Sequence, residues 1–335
     1  MTPACPFVSK LKPAMNWTAI TLPLGLVVTA LAAALWLGGP GPIAPMASIN
    51  EPFANVDFSA VPPDSHFTAR DGTPLAWLHY PAADAPGGKP ARRIVLVHGS
   101  SARGQSMHPM AQALAAAGFD VAALDMRGHG DSGERGHIAY VGQLEDDIED
   151  FMKNQSWPAP STLLGFSSGG GFVLHFAADQ RASLFDRYLL LSPYLHHTSP
   201  TKRPGNDDWV SIGVPRILAL TLLNQVGITA FNRLTTLRFG LNEASRSMLT
   251  ERYDHALTTN FRPHMDYAQD IRQIRQPLHI LAGREDELFD AARFADVFKN
   301  AGHSVPVTLI DGVNHIGLTL DARAIKAVVA AAKLE

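Results

Sequence analysis

The run Gly165-Phe166-Ser167-Ser168-Gly169-Gly170-Gly171 follows a short apolar stretch at 162–166 and opens a helical pattern at 170–179. Its first five residues have the spacing G-x-S-x-G between a strand and a helix, the setting in which a serine hydroxyl is exposed as a nucleophile. The chemistry needs a sharp turn that presents the Ser167 hydroxyl. Glycines at 165 and 169 remove side chains that would clash with the neighbouring strand and helix. The helix N-terminus behind the turn adds positive potential where an oxyanion would form. Ser168 is the weaker candidate, because Phe166 rather than glycine lies two residues before it. The structural alternative is a glycine-rich turn that merely packs a helix closely on a sheet.

A serine hydroxyl needs a base, and the base needs an orienting acid. The apolar run 278–281 leads into Gly283-Arg284-Glu285-Asp286, and the run 305–310 leads into Asp311-Gly312-Val313-Asn314-His315. Both therefore place polar residues just beyond the carboxyl ends of strands, where sites form in open α/β sheets. The chain has 14 histidines, so a histidine alone means little. His303 precedes its strand and belongs at the opposite edge, which leaves His315 as the base. Asp286 is favoured as the acid over Glu285, Glu287 and Asp290, any of which is otherwise a solvated charge. An oxyanion needs two preorganised N–H donors. Ser168, next after the nucleophile, supplies one, and the loop His98-Gly99-Ser100-Ser101 after the run 94–97 supplies the other, with Ser100 as the donor. His98 is read as a buried histidine bracing that loop.

These residues sit on a regular alternation. Runs at 66–70 and 75–80 flank Asp71-Gly72, a hairpin signal. Further strand-like runs fall at 94–97, 121–124, 162–166, 188–191, 278–281 and 305–310. Helical patterns fall at 107–117, 141–154, 170–179, 291–300 and 322–333. Strands alternating with helices imply right-handed crossovers and a mostly parallel eight-stranded sheet with helices on both faces. One connection is too long. Between Pro193 and Pro277 lie 83 residues, where a crossover helix with its loops takes about 25. The surplus, about 195–275, is expected to be an inserted helical lid. Its stretch 209–231 holds a single charge, Arg216, and Pro215 suits the first turn of a helix running to Val226.

The N-terminal segment is different material. No charge occurs between Pro13 and Asn50, and 19–39 is an uncharged, mostly apolar stretch of the length that spans hydrocarbon. Lys10 and Lys12 precede it, which places a short N-terminus, 1–18, in the cytoplasm and the catalytic domain on the non-cytoplasmic side of a membrane. Trp17 and Trp36 stand near its two ends. A signal segment cut behind Ala47 is the rival reading, disfavoured by Pro45 where a small residue belongs; a buried helix is the other. Residues 40–64, with six prolines, read as an extended tether, and 65–335 as the catalytic domain.

Composition limits the alternatives. The chain has 335 residues, 46% of them hydrophobic and 18% charged, too apolar for a disordered chain. A net charge of −3 excludes a broadly basic nucleic-acid binder. One cysteine, Cys5, excludes an intramolecular disulfide framework and a cysteine-rich zinc site.

From about residue 66 onward the chain resembles the α/β-hydrolase superfamily, and within it the monoacylglycerol lipase and lysophospholipase group. The resemblance rests on His98-Gly99, on Asp125-Met126-Arg127-Gly128-His129-Gly130-Asp131-Ser132, on the serine turn, and on Asp286 and His315. It implies a Ser167–His315–Asp286 triad, a lid over an acyl pocket, structural roles for Arg127 and His129, and no cofactor or metal. The chain departs from the group in carrying Phe166 and Ser168 where members usually have histidine and methionine, and the small Ser168 implies a differently shaped pocket. The expected activity is hydrolysis of lipid-like carboxylic esters through an acyl-enzyme. A serine peptidase or an acyltransferase on the same triad, and a non-catalytic membrane-tethered binding module, are the competing readings. Dehalogenases and epoxide hydrolases are disfavoured, because they carry aspartate at the turn.

Overall fold

The computed structural model describes residues 18–83, 92–156, 160–205 and 209–334, with side chains from residue 25 onward. Along the chain come α1 (Thr18–Leu37), α2 (Ala47–Asn50), β1 (Asp64–Thr68), β2 (Pro74–Tyr80), β3 (Arg92–Val97), α3 (His108–Ala116), β4 (Phe119–Leu124), α4 (Gln143–Gln155), β5 (Ser161–Phe166), α5 (Ser168–Ala178) and β6 (Arg187–Leu191). An insertion follows with β7 (Val210–Ile212), α6 (Val214–Gln225), β8 (Thr235–Phe239), α7 (Glu243–Arg246), β9 (Arg252–Asp254), α8 (His255–Asn260) and α9 (Tyr267–Gln273). The chain closes with β10 (Leu278–Gly283), α10 (Phe294–Asn300), β11 (Val307–Ile310), α11 (Gly317–Leu320) and α12 (Ala322–Lys333).

Eight strands form one sheet in the order β1-β2-β4-β3-β5-β6-β10-β11, parallel except where β2 pairs with β1 and β4. Burial explains the unbroken apolar runs. Ile94, Val95, Leu96 and Val97 of β3 are all fully buried, and their side chains alternate between two cores. Val95 and Val97 pack with Phe151, Phe172 and Phe176 on one face; Ile94 and Leu96 pack with Met110, Leu114 and Val328 on the other. A strand covered on both faces has no need of polar alternation. The helices that cover it are amphipathic: α4 buries Leu144, Ile148, Phe151 and Met152, at helical spacing. Its first turn holds Glu145 and Asp146 and its last holds Lys153, charges that suit the helix dipole at each end. The mostly parallel eight-stranded sheet with helices on both faces is as expected from the alternation, and it is the α/β-hydrolase architecture that the resemblance implies. The Asp71-Gly72 hairpin is looser than a two-residue turn: β1 and β2 pair Thr68 with Pro74, and Gly72 takes a φ of 85° inside the connection.

The insertion expected to be a helical lid is more than helices. Besides α6 to α9 it contains a three-stranded antiparallel sheet, β7-β8-β9. The β-branched Thr235 and Thr236 favour extended backbone, and Trp209, Phe239 and Tyr253 stack across the strands with ring centroids 5.5 Å and 4.7 Å apart.

The N-terminus to residue 17, including Cys5, Lys10 and Lys12, lies outside the described residues. The stretch expected to anchor the chain, 19–39, is carried almost wholly by α1; side chains of 18–24 are outside the described residues, and among the described residues no helix is long and apolar enough to cross a membrane. Leu35 of α1 packs against Ala219 and Leu220 of α6. Arg216 caps the C-terminal end of α1, donating from Nε to the Leu35 carbonyl at 2.7 Å and from a terminal nitrogen to that of Trp36 at 3.2 Å. The stretch read as an extended tether, 40–64, is partly folded: it carries α2 and a 3-10 turn (Pro52–Asn55), and Ile49 is buried against the main sheet domain.

Candidate active site

The serine turn shows why glycine stands on either side of Ser167. A Cβ on Gly165 would meet the Gly169 carbonyl oxygen at 2.3 Å, and one on Gly169 would meet the His98 carbonyl oxygen at 2.2 Å. No side chain fits either place. Between them Ser167 adopts φ 55° and ψ −119°, a backbone conformation that an L-residue occupies only when its surroundings enforce it. The strain is held by backbone bonds on both sides: Ser167 N–H donates to Leu191 in β6, and Tyr194 N–H donates to the Ser167 carbonyl.

The three residues expected to form the triad lie together. The Ser167 hydroxyl is 3.0 Å from His315 Nε2, and His315 Nδ1 is 2.8 Å from Asp286 Oδ2. The carboxylate can only accept, so Nδ1 carries the proton and Nε2 is left to accept from the serine hydroxyl. The Leu288 and Phe289 N–H groups each donate to the other Asp286 oxygen at 2.9 Å. Burial alone would raise the Asp286 carboxyl; the His315 ring beside it, its hydrogen bond and the Phe289 N–H outweigh burial and hold it below the ordinary carboxylate range. Asp286 therefore stays ionised as the partner of the ring. His315 is further fixed by its own N–H, which donates to Glu287 at 2.9 Å, and by Phe166 and Phe289, whose ring centroids are 4.8 Å and 5.2 Å from its own. Of the rival carboxylates, Glu285 accepts from Val313 N–H and Glu287 from His315 N–H, so both hold the histidine loop rather than its ring. Asp290 receives no bond from the ring; it lies by Arg293.

The two residues expected to form the oxyanion hole are also adjacent. The Ser100 and Ser168 hydroxyls are hydrogen-bonded to each other, and Ser168 opens α5, so its N–H is among the first-turn donors that lack an intrahelical acceptor. His98 braces this loop. Met126 N–H donates to its Nε2 at 3.2 Å, so the ring proton sits on Nδ1 and is given to the Gly99 carbonyl at 2.8 Å. Full burial pushes the ring down to about 4, and it remains neutral.

Further support comes from the insertion, where nothing local in the sequence announces it. Ser101, in the left-handed region at φ 66°, donates its N–H to the Tyr253 hydroxyl at 2.6 Å and its own hydroxyl proton to the Thr250 carbonyl at 2.7 Å. His129 holds its Nδ1 proton toward the Met126 and Arg127 carbonyls, leaving Nε2 to accept from the Tyr253 hydroxyl. Arg127 grips Asp147 of α4 with two bonds and Asp71 of the hairpin with two more. The 125–132 segment is a bracket between sheet, hairpin and insertion. Arg203 likewise donates to the Asp286 and Phe289 carbonyls and pins the acid loop.

Ser167 and His315 open into a cleft of about 1010 Å³ of empty space, open solvent included. Its walls are mainly apolar. Trp209, Leu241 and Met248 come from the insertion, Leu288 and Ile316 from the loops carrying Asp286 and His315, and Ile49 and Phe53 from the segment before β1. Among the described residues, no group of histidine, cysteine, aspartate and glutamate side chains is arranged to hold a metal ion.

Residues 88–319 match the model of the Hydrolase_4 family, described as serine aminopeptidase, S33. A monoacylglycerol lipase of Mycolicibacterium smegmatis is 37% identical over 99 residues, 28% of this chain and 35% of that protein, so the chain matches about a third of that relative's length. A soluble variant of the monoglyceride lipase of Saccharomyces cerevisiae, crystallised with a substrate analogue, superposes over 83% of this chain and 96% of its own with a TM-score of 0.63 at 17% identity. The monoacylglycerol lipase of Paleococcus ferrophilus does so over 76% and 97% with a TM-score of 0.56 at 19% identity. With its fold, its serine turn and a matched stretch covering most of its length, the chain belongs to the Hydrolase_4 (serine aminopeptidase, S33) family, as an α/β-hydrolase whose likeness is to the carboxylic ester hydrolases of the monoacylglycerol lipase group.

Proposed function

We propose that the protein hydrolyses lipid-like carboxylic esters, of monoacylglycerol or lysophospholipid type, through an acyl-enzyme on Ser167. The observation that carries this reading is the continuous relay from Ser167 through His315 to Asp286, at 3.0 Å and 2.8 Å, opening on an apolar cleft. In the proposed mechanism Nε2 of His315 takes the hydroxyl proton as Ser167 attacks the acyl carbon. The Ser168 and Ser100 N–H groups receive the negative oxygen. His315 gives its proton to the leaving alcohol, then takes one from the water that attacks the acyl-enzyme; Asp286 orients the ring and stabilises its cation.

The cleft lining favours an ester over a peptide amino terminus. An aminopeptidase needs an anionic partner for the substrate's ammonium group, and among the described residues that line the cleft there is no carboxylate. A fluorophosphonate probe tests the reading. Wild type labels and Ser167→Ala does not; near-normal ester hydrolysis by Ser167→Ala sinks it.

Anchoring is part of the same proposal. The absence of charge from 14 to 50 supports a membrane-held N-terminus with the hydrolase on the non-cytoplasmic side. Exposed Leu26, Val27 and Val28 on α1 and exposed Leu218 and Leu222 on α6 add apolar surface beside it. Cell fractionation tests this: full-length protein recovered in the soluble fraction overturns it.

A further inference from the structure

The family match begins at residue 88, yet one wall of the reaction cleft is built from residues before it. Ile49 and Phe53 face the same cleft as Ser167 and His315. Ile49 is buried in one apolar cluster with Met107, Phe166 and Ile316, and Phe53 packs against that cluster while remaining half-buried. An isoleucine and a phenylalanine offer an ester nothing but apolar contact, so what they meet is hydrocarbon.

This wall is not a loose flap. The Asn50 side chain clips it to the insertion: its amide nitrogen donates to the Gly240 carbonyl at 2.8 Å, and its amide oxygen accepts from Asn242 N–H at 3.2 Å. The Met46 N–H also donates to the Gly240 carbonyl at 3.3 Å. Leu241, between the two clipped residues, is buried and lines the cleft. One side chain therefore ties two cleft walls together, from positions far apart in the chain. Earlier in the chain, Arg216 ties the end of α1 to α6, so the segment is held at Leu35–Trp36 and again at Met46–Asn50.

The geometry points to residues 46–58 as a specificity wall of the cleft: Ile49 and Phe53 contact the alkyl part of the substrate ester and limit the chain length it accepts, and Asn50 is a positioning residue that holds this wall against Leu241. The inference rests on the ester-hydrolase reading of the Ser167 site and adds to it a determinant outside the family-matched region.

The test uses full-length protein and a series of p-nitrophenyl esters from acetate to palmitate, reading kcat/KM for each. Removing apolar contact groups from such a pocket alters selectivity by about 10- to 200-fold at most. Phe53→Ala and Ile49→Ala should shift the preferred chain toward longer esters, changing the long-to-short ratio of kcat/KM by about tenfold. Phe53→Trp, which narrows the cleft at a half-buried position, should shift it toward shorter ones. Asn50→Ala should raise KM for long esters with kcat little changed, whereas a purely structural role would lower both activity and melting temperature without a chain-length signature. Folding is checked by circular dichroism, and Phe53→Trp serves where Ile49→Ala is destabilised. An unchanged ranking of esters in folded Phe53→Ala and Phe53→Trp, with Ser167-dependent hydrolysis intact, overturns this inference and leaves the active-site reading standing. Absence of Ser167-dependent ester hydrolysis in wild type overturns both.

Discussion

At the scale of single residues, the site depends on groups whose charge state is set by burial and by one specific neighbour. Asp286 stays ionised because His315 and the Phe289 N–H offset its desolvation. Asp286→Asn keeps the shape of the carboxylate but lets the ring adopt the wrong tautomer; by analogy with serine proteases turnover falls about 10⁴-fold, and Ser167→Ala costs on the order of 10⁶. Steady-state kinetics on a short ester checks both. His98 works in the opposite sense. Its folded ring titrates near 4, against an ordinary value of 6.5, and it is neutral when folded. An unfolded chain takes up a proton below 6.5 that the folded one refuses until about 4, so stability falls as pH drops through that window, by about 3 kcal/mol at most. Urea unfolding at several pH values should show the decline, and His98→Asn should make it shallower, leaving the share of His129 and His255, whose rings burial also holds low. The serine turn is equally constrained. Gly169→Ala would drive a methyl into the His98 carbonyl, and a destabilisation of several kcal/mol is expected from urea unfolding.

At the scale of elements, the loop from His98 to Ser101, the proposed oxyanion loop, is held from two sides. β3 delivers His98 to Ser101 to the site, but β9 and the turn leading into it hold them there through Tyr253 and Thr250. Tyr253→Phe deletes the acceptor for the buried Ser101 N–H and the donor to His129. Leaving such groups unpaired costs about 1–3 kcal/mol. The expected outcome is a lower urea midpoint together with a fall in kcat exceeding any rise in KM, because the loop proposed to receive the oxyanion loses a support while the apolar walls stay. A fall in stability with kcat untouched would show that the loop is held without this bond. Glu287 belongs to the same scale. In the sequence it is only a rival to Asp286; in the fold it accepts the His315 N–H and helps fix the backbone of that residue.

At the scale of the whole molecule, the single charge in the apolar stretch 209–231 has a structural use. Arg216 donates to the Leu35 and Trp36 carbonyl groups at the end of α1, and a cation there suits the negative end of a helix dipole. Arg216→Ala should release α1 and the 38–46 connection from the insertion. Limited proteolysis should then cut in that connection, at a rate that leaves wild type intact. If the protease pattern is unchanged, the packing of Leu35 on Ala219 and Leu220 suffices without the arginine.

Much of this protein is legible residue by residue. The glycines around Ser167, the strand-end positions of Asp286 and His315, and the alternation that builds the sheet are local patterns. Each follows from the backbone conformation or burial of a few neighbours, so the fold class and the candidate triad can be read before any coordinates exist. What only the tertiary structure decided is whatever depends on contacts between distant segments. The β-sheet within the insertion, the bracing of the oxyanion loop by Tyr253, and the seating of residues 46–58 against residue 240 leave no periodic trace in the sequence, because hydrogen bonds between residues some 190 positions apart impose no spacing on either partner. Local chemistry specified the reacting groups; the packing of remote segments determined the walls of the cleft in which they stand.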